Sequence, residues 1–236
     1  MGAPRRILVK LSGEMLKGDG APYSPVALER VAGDVAAISM SGRDVEVAIV
    51  IGGGNILRGA HSPWLSRVRA DRMGMLATVL NALALQAYLD AAGQAAIVQS
   101  AIHVEGIPGV DPLAAQSVLA DGGIVIFAGG TGNPFVSTDT AAAIRAASIG
   151  ATLLAKASNV AGVYRSDPNG HSDPGQPMKE LTYDEFLTAR YQVMDVVSVE
   201  LCREHAIPIV VFDGHDEFAL RSLGDEDPSQ FGTLIH

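Results

Sequence analysis

Two kinds of apolar run take turns along this chain. Short, nearly continuous apolar stretches occupy positions 7–11, 45–51, 95–98, 124–127, 153–156 and 207–212. Runs this short, with little polar alternation, predict strands covered on both faces, as in a parallel sheet. Between them, residues 25–41 space Leu28, Val31, Val35 and Ile38 at helical intervals, and Met75, Leu76, Val79, Leu80 and Leu83 repeat the pattern farther on. Both segments are expected to be helices with these residues in the core. A further helix is predicted over 140–147, with Ser137, Thr138 and Asp139 at its start, and another over 182–189, where Thr182 and Glu185 stand at capping-box spacing. Strands that alternate with helices in this way predict an α/β protein built on a mostly parallel sheet.

Composition narrows the picture. The chain has 236 residues, 48% of them apolar, and a mean hydropathy of +0.24, enough for a sizeable core. No linker, low-complexity block or repeat divides it, so one domain over 1–236 is expected, with the proline-bearing stretch 167–177 as an exposed loop. Seventeen basic against 26 acidic residues give a net charge of −9 without a Lys/Arg run, which argues against a nucleic-acid binder. The first residues lack the apolar core of a signal peptide, and the apolar stretch 75–92 carries Asn81, Gln86 and Asp90. No membrane association is expected, and the expected location is the cytoplasm. Cys202 is the only cysteine, so an internal disulfide and a cysteine metal cluster are excluded.

The candidate chemistry sits where apolar runs end in glycine. Residues 130–139, Gly-Thr-Gly-Asn-Pro-Phe-Val-Ser-Thr-Asp, pack hydroxyls, glycines and a carboxylate behind one predicted strand. Such a turn opens onto the carboxyl edge of a sheet, where α/β proteins hold ligands and helix N-termini offer N–H groups to anions. The first strand carries Lys10 into Ser12-Gly13, and the second runs into Gly52-Gly53-Gly54-Asn55 with Arg58 close behind, a fork suited to phosphate. Neither glycine loop completes G-x-G-x-x-G, no G-x-x-x-x-G-K-[ST] loop occurs, and no G-x-S-x-G elbow is seen. The six histidines show no metal-ligand spacing.

Seven segments in order then carry a resemblance along almost the whole chain. They are Lys10-Leu11-Ser12-Gly13-Glu14, Ile51-Gly52-Gly53-Gly54-Asn55 with Arg58-Gly59-Ala60, Asp71 with Met73-Gly74-Met75-Leu76-Ala77-Thr78, Gly132-Asn133-Pro134-Phe135 with Thr138-Asp139, Gly162-Val163-Tyr164 with Asp167-Pro168, Leu181-Thr182-Tyr183, and Val193-Met194-Asp195. In this combination the chain resembles the bacterial uridylate (UMP) kinases of the amino acid kinase superfamily.

The resemblance implies a three-layer α/β/α sandwich around a mostly parallel sheet of about eight strands. It implies an acceptor half over about 1–150, a nucleotide-donor half over about 151–236, and a homohexamer. The implied reaction transfers the γ-phosphoryl group of ATP to UMP, giving UDP for pyrimidine nucleotide biosynthesis, with magnesium carried on ATP and no metal site built by the protein alone. Lys10, Leu11, Ser12 and Gly13, with Gly54 and Arg58, would run along the ATP phosphates, and Ser158, Tyr164 and Asp167 would hold the base and ribose. Gly53, beside Gly54 and Arg58, would take the acceptor phosphate, and Asp71 the uracil or ribose side. Thr131, Gly132, Asn133, Pro134, Phe135, Val136, Ser137 and Thr138 would wrap the UMP. Lys10, Arg58, Asp139, Lys156 and Asp195 would be catalytic, with Asp139 orienting lysine or magnesium.

Some positions depart from the family pattern. Asn159-Val160-Ala161-Gly162-Val163 stands where members commonly have Lys-Val-Asp-Gly-Val, which loses a cation and a carboxylate near the donor. That change motivates two alternatives, a paralogue acting on another phosphate, phosphonate or carboxylate acceptor, and a nucleotide sensor or storage protein without turnover. Retained Asp71 and 131–138 argue against the first, and retained Lys10, Asp139 and Asp195 against the second. Gln86, Asp90 and Gly123 occupy the places where GTP-activated members carry effector-binding side chains, so weak or absent GTP activation is expected.

Overall fold

The structure is a computed structural model that describes residues 5–39, 45–57, 64–165, 175–225 and 227–236. Its centre is one eight-stranded sheet made of β1 (Arg5–Leu11), β2 (Val45–Ile51), β3 (Ala96–Ser100), β4 (Ile124–Ala128), β5 (Leu153–Ser158), β6 (Glu180–Leu181), β7 (Ile209–Asp213) and β8 (Thr233–Ile235). Their spatial order is β3-β4-β2-β1-β5-β7-β8-β6, and only the β7–β8 pairing is antiparallel. The six strands expected from apolar runs are all present. β6 and β8, two and three residues long, are too short to leave a pattern of their own.

Helices cover both faces, giving the three-layer α/β/α architecture. On one face α1 (Pro25–Ser39), α2 (Arg67–Ala91) and α7 (Glu217–Ser222) pack on Ile7, Val9 and Leu11. On the other, α3 (Pro112–Ala120), α4 (Thr138–Ile149), α5 (Tyr183–Ala189) and α6 (Val196–Glu204) pack on Leu8, Val125, Phe127 and Leu154. The alternation of side chains along β1 sorts these residues between the two cores. One buried charge ties the first layer together. Asp34 of α1, fully buried, pairs with Arg30 at 3.3 Å and with Arg221 of α7 at 2.5 Å.

Caps start α4 and α5 where the sequence suggested. Ser137 caps α4 and Thr182 forms a complete capping box on α5. Gln86 and Asp90 of α2 are engaged within the fold, Gln86 donating to the Ala96 carbonyl at 2.8 Å and Asp90 accepting from the Ala96 N–H at 3.3 Å.

The expectation for α2 needs correction. Met75 and Val79 face the core with Ala82, Leu85 and Leu89, but Leu76, Leu80 and Leu83 are 53%, 53% and 42% exposed. The helix carries two apolar stripes, an inner one and an outer one of Met73, Leu76, Leu80 and Leu83. Neighbouring stripes at three- and four-residue spacing merge into one broad face when only the sequence is read. Among the described residues no helix is long and apolar enough to cross a membrane.

Candidate active site

The chain leaves β1 toward β2 on one side and later returns as β5 on the other, so the carboxyl end of β1 is a topological switch point. Lys10 lies there in register with Lys156 of β5, the two parallel strands setting both ammonium groups on the face covered by α4. Like charges so placed repel, and the fold answers with Asp139 from the first turn of α4. Asp139 Oδ2 accepts from Lys156 Nζ at 2.5 Å, and Oδ1 lies 3.1 Å from Lys10 Nζ. Lys156 also donates to the Val193 carbonyl at 2.5 Å. The Lys10 contact lacks hydrogen-bond geometry, so Oδ1 has an ionic neighbour and no hydrogen bond.

The electrostatics follow from burial and these pairs. Burial alone would raise the Asp139 carboxyl, but Lys10 and Lys156 outweigh it and hold it at about 2. Burial pulls Lys156 below the ordinary lysine range, with Asp139 opposing that fall and Lys10 adding to it.

Asp195 stands one layer back. Its Oδ2 accepts from the Ser137 hydroxyl at 2.5 Å, and its Oδ1 accepts from the Thr140 hydroxyl and the Ser198 N–H, both at 2.9 Å. It therefore caps α6 while gripping the start of α4, and Ser137 in turn accepts from the Asp139 N–H at 3.0 Å. These bonds link Asp195 to Asp139 through Ser137.

A cleft opens beside this cluster, between the loop after β2, the first half of α2 and the loop after β4. Of the residues expected on the acceptor, Gly53, Gly54, Asp71, Thr131, Asn133, Val136 and Thr138 line it together. Gly132, Pro134, Phe135 and Ser137 do not. Gly132 makes a turn against the Ala101 carbonyl, Ser137 is the α4 cap, and Phe135 is 67% exposed with a left-handed φ of 68°. The Phe135 N–H donates to Asp71 Oδ2 at 2.8 Å, while Arg67 Nε holds the same carboxylate at 2.8 and 2.9 Å. Asp71 thus straps the loop to α2, with one lone pair of Oδ1 unused among the described residues.

Close approach explains two of the glycines. A Cβ on Gly13 would lie 2.4 Å from Asn55 Oδ1 and 2.7 Å from the Gly52 carbonyl, so this turn can nest against the loop after β2 only without a side chain. A Cβ on Gly53 would lie 2.7 Å from the Gly74 carbonyl of α2. Gly53→Ala is expected to push the loop off the helix and cost about 1–3 kcal/mol, read as a lower urea midpoint.

Of the expected donor-side residues, Leu11 is wholly buried and accepts from the Gly52 N–H at 2.9 Å, joining the two loops. Ser12 caps the 3-10 turn Gly13–Leu16, and the Ser158 carbonyl accepts from Gly214 N–H at 2.8 Å at the end of β5. Tyr164 is half-buried just beyond the Gly162–Val163 turn that Thr233 anchors. Asn159 and Ala161 are exposed. Arg58 and Asp167 lie outside the described residues.

Three residues that fasten this region went unassigned in the sequence. Asn81 and Asn55 exchange reciprocal amide bonds of 2.7 and 3.1 Å, and Asn81 also donates to the Gly52 carbonyl at 2.7 Å. Thr78 accepts from the Gly129 N–H at 2.7 Å, pinning the loop after β4 to α2. Polar residues three apart on the inner stripe of an apolar helix are the signal that could have found Asn81 and Thr78.

The comparisons agree with this geometry. The chain matches the amino acid kinase family over residues 5–213. It is similar to the UMP kinase of Ureaplasma parvum, with 32% identity, 99% of each chain covered and a TM-score of 0.89. It is also similar to the UMP kinase of Bacillus anthracis, with 33% identity, 99% of this chain and 96% of that one covered, and a TM-score of 0.90. The uridylate kinase of Archaeoglobus fulgidus, at 22% identity and a TM-score of 0.72, shares the fold. With the lysine pair, its bridging aspartate and two glycine loops at one sheet edge, this full-length likeness means that the chain belongs to the amino acid kinase family and is of bacterial UMP kinase type.

Proposed function

We propose that the protein transfers the γ-phosphoryl group of ATP to UMP, giving UDP. The observation that carries this reading is the Lys10–Asp139–Lys156 cluster at the edge of a cleft lined by Gly53, Gly54, Asp71 and Thr131. Phosphoryl transfer needs positioning and cations against the moving oxygens more than covalent chemistry. An acceptor phosphate is already nucleophilic at neutral pH, so no general base is required.

The two lysines divide the work. Lys156 spends its donors on Asp139 and Val193, whereas among the described residues Lys10 makes only the ionic contact with Asp139. Lys10 is therefore the cation that would meet the phosphates, and Lys156 positions Asp139. Ser12 and Gly13 would flank the donor phosphates, and Ser158 and Tyr164 the adenosine, making residues from about 151 onward the donor half. Asp71 would take a ribose hydroxyl or the uracil edge, and Arg58 the acceptor phosphate.

Magnesium fits this arrangement as part of the nucleotide. Among the described residues no three Asp, Glu, His or Cys side chains converge, but buried Asp139 Oδ1 is free of hydrogen bonds. Asp139 would hold an ion whose other ligands are phosphate and water oxygens, and the ion would neutralise charge on those oxygens. Initial rates with Mg-ATP and UMP, dUMP, CMP or a phosphonate test the acceptor. UMP should give the highest kcat/KM, and equal or better use of another acceptor would refute the assignment.

The outer stripe of α2 supports a homo-oligomer. Met73, Leu76, Leu80 and Leu83 follow three-four-three spacing, the seam that pairs one helix with another. Leu76→Glu with Leu80→Glu should lower the mass seen by light scattering while the circular dichroism stays unchanged. An unaltered mass would remove this helix from the interface.

A further inference from the structure

Behind the loop after β4 lies a second cavity of about 390 Å³, bounded by the end of β3, the segment 101–110 and α4. Thr131 lines this cavity and the acceptor cleft alike. Arg145, from the middle of α4, supplies its charge. The guanidinium lies over the buried Phe127 ring, 5.9 Å from the centroid, and its Nε is buried without a hydrogen-bond partner. Among the described residues its only hydrogen bond is a long one, 3.4 Å, to the Gly130 carbonyl, and it has no ion pair. Burial draws its pKa below the ordinary arginine value, as expected of a half-buried cation with no anion beside it among the described residues.

The ring offsets part of that desolvation, since the negative face of an aromatic ring attracts a cation lying over it. The fork of donors stays unmatched, and a covered guanidinium is most favourable when an oxyanion meets it in a bidentate geometry. Ile102, Ile107 and Val110 give the cavity an apolar wall, and His103 is exposed at its rim. Its volume is within the range of small-molecule sites, and its lining combines one charged anchor with apolar side chains.

We propose that this cavity binds a small organic oxyanion, its carboxylate or phosphate group on the Arg145 fork and its apolar body against Ile102, Ile107 and Val110. Resting on the proposed function, one consequence is that occupancy shifts KM for the acceptor more than kcat, because Thr131 serves both cavities.

Benzoate and phenyl phosphate are the probes, with the same ring under two head groups, and benzyl alcohol is the neutral control. Calorimetry on the full chain gives affinity, and the Nε–Hε resonance of Arg145 in the wild-type protein reports the site. At least one acid should move that resonance saturably while the alcohol leaves it in place, and the better acid identifies the head group. Arg145→Lys, which keeps the charge over Phe127 but removes the fork, should bind at least tenfold more weakly. An unmoved resonance with both acids, or unchanged affinity in a folded Arg145→Lys protein, would overturn the proposal. Neither readout needs turnover, so the result is independent of whether UMP is phosphorylated.

Discussion

Lys10→Ala is expected to lower kcat for UDP formation on the order of 10²–10³-fold, the usual loss when one donor aimed at developing charge is removed. The Lys10 ammonium is at the switch point, 3.1 Å from Asp139 and with donors left for a phosphate. The substitution leaves the Asp139–Lys156 bond in place, so the urea midpoint should move little. It also relieves Lys156 of a like charge. A Lys10→Ala protein with wild-type kcat would remove the cluster from the mechanism, and one that loses its fold would make Lys10 structural.

Asp139→Ala should lower stability as well as activity. It strands two ammonium groups facing each other across paired strands, Lys156 among them buried, and removing one partner of a buried charge cluster costs about 3–5 kcal/mol. The carboxylate's own share is smaller, because the gap between the ordinary 3.8 and about 2 corresponds to roughly 2 kcal/mol. The larger figure includes the uncompensated lysines.

The pH dependence follows from the depressed value. Below 3.8 the unfolded chain takes up the Asp139 proton while the folded chain does not, so this stabilisation is complete above about pH 4 and is lost as pH falls toward 2. Urea titrations between pH 5 and pH 2 should show wild type losing stability more steeply than Asp139→Asn. Parallel slopes would contradict the ion-pair assignment.

Much of the fold was legible because the six core strands are continuous apolar runs ended by glycine or polar turns, a pattern with few alternatives in a parallel sheet. Strands β6 and β8 were not, since two or three residues carry no periodicity. The second face of α2 escapes a sequence reading because an exposed apolar stripe and a core stripe look alike in hydropathy. At the site, Lys10, Asp139 and the glycines were visible as types at strand ends. What the sequence could not order was their roles. Only the register of β1 with β5 places Lys156 beside Lys10, and only the packing of α6 on α4 brings Asp195 to Ser137 and Thr140. Arg145 is invisible in the sequence because its lack of an ion pair among the described residues is a property of three dimensions.

The measurement that bears most directly on the proposed reaction is phosphorus NMR of Mg-ATP and UMP with the purified chain. The ATP γ-phosphate signal should disappear as ADP and the UDP β-phosphate appear in equal amounts, with no inorganic phosphate. ATP that stays intact in the presence of bound UMP, or ADP formed with inorganic phosphate and no UDP, would contradict the account.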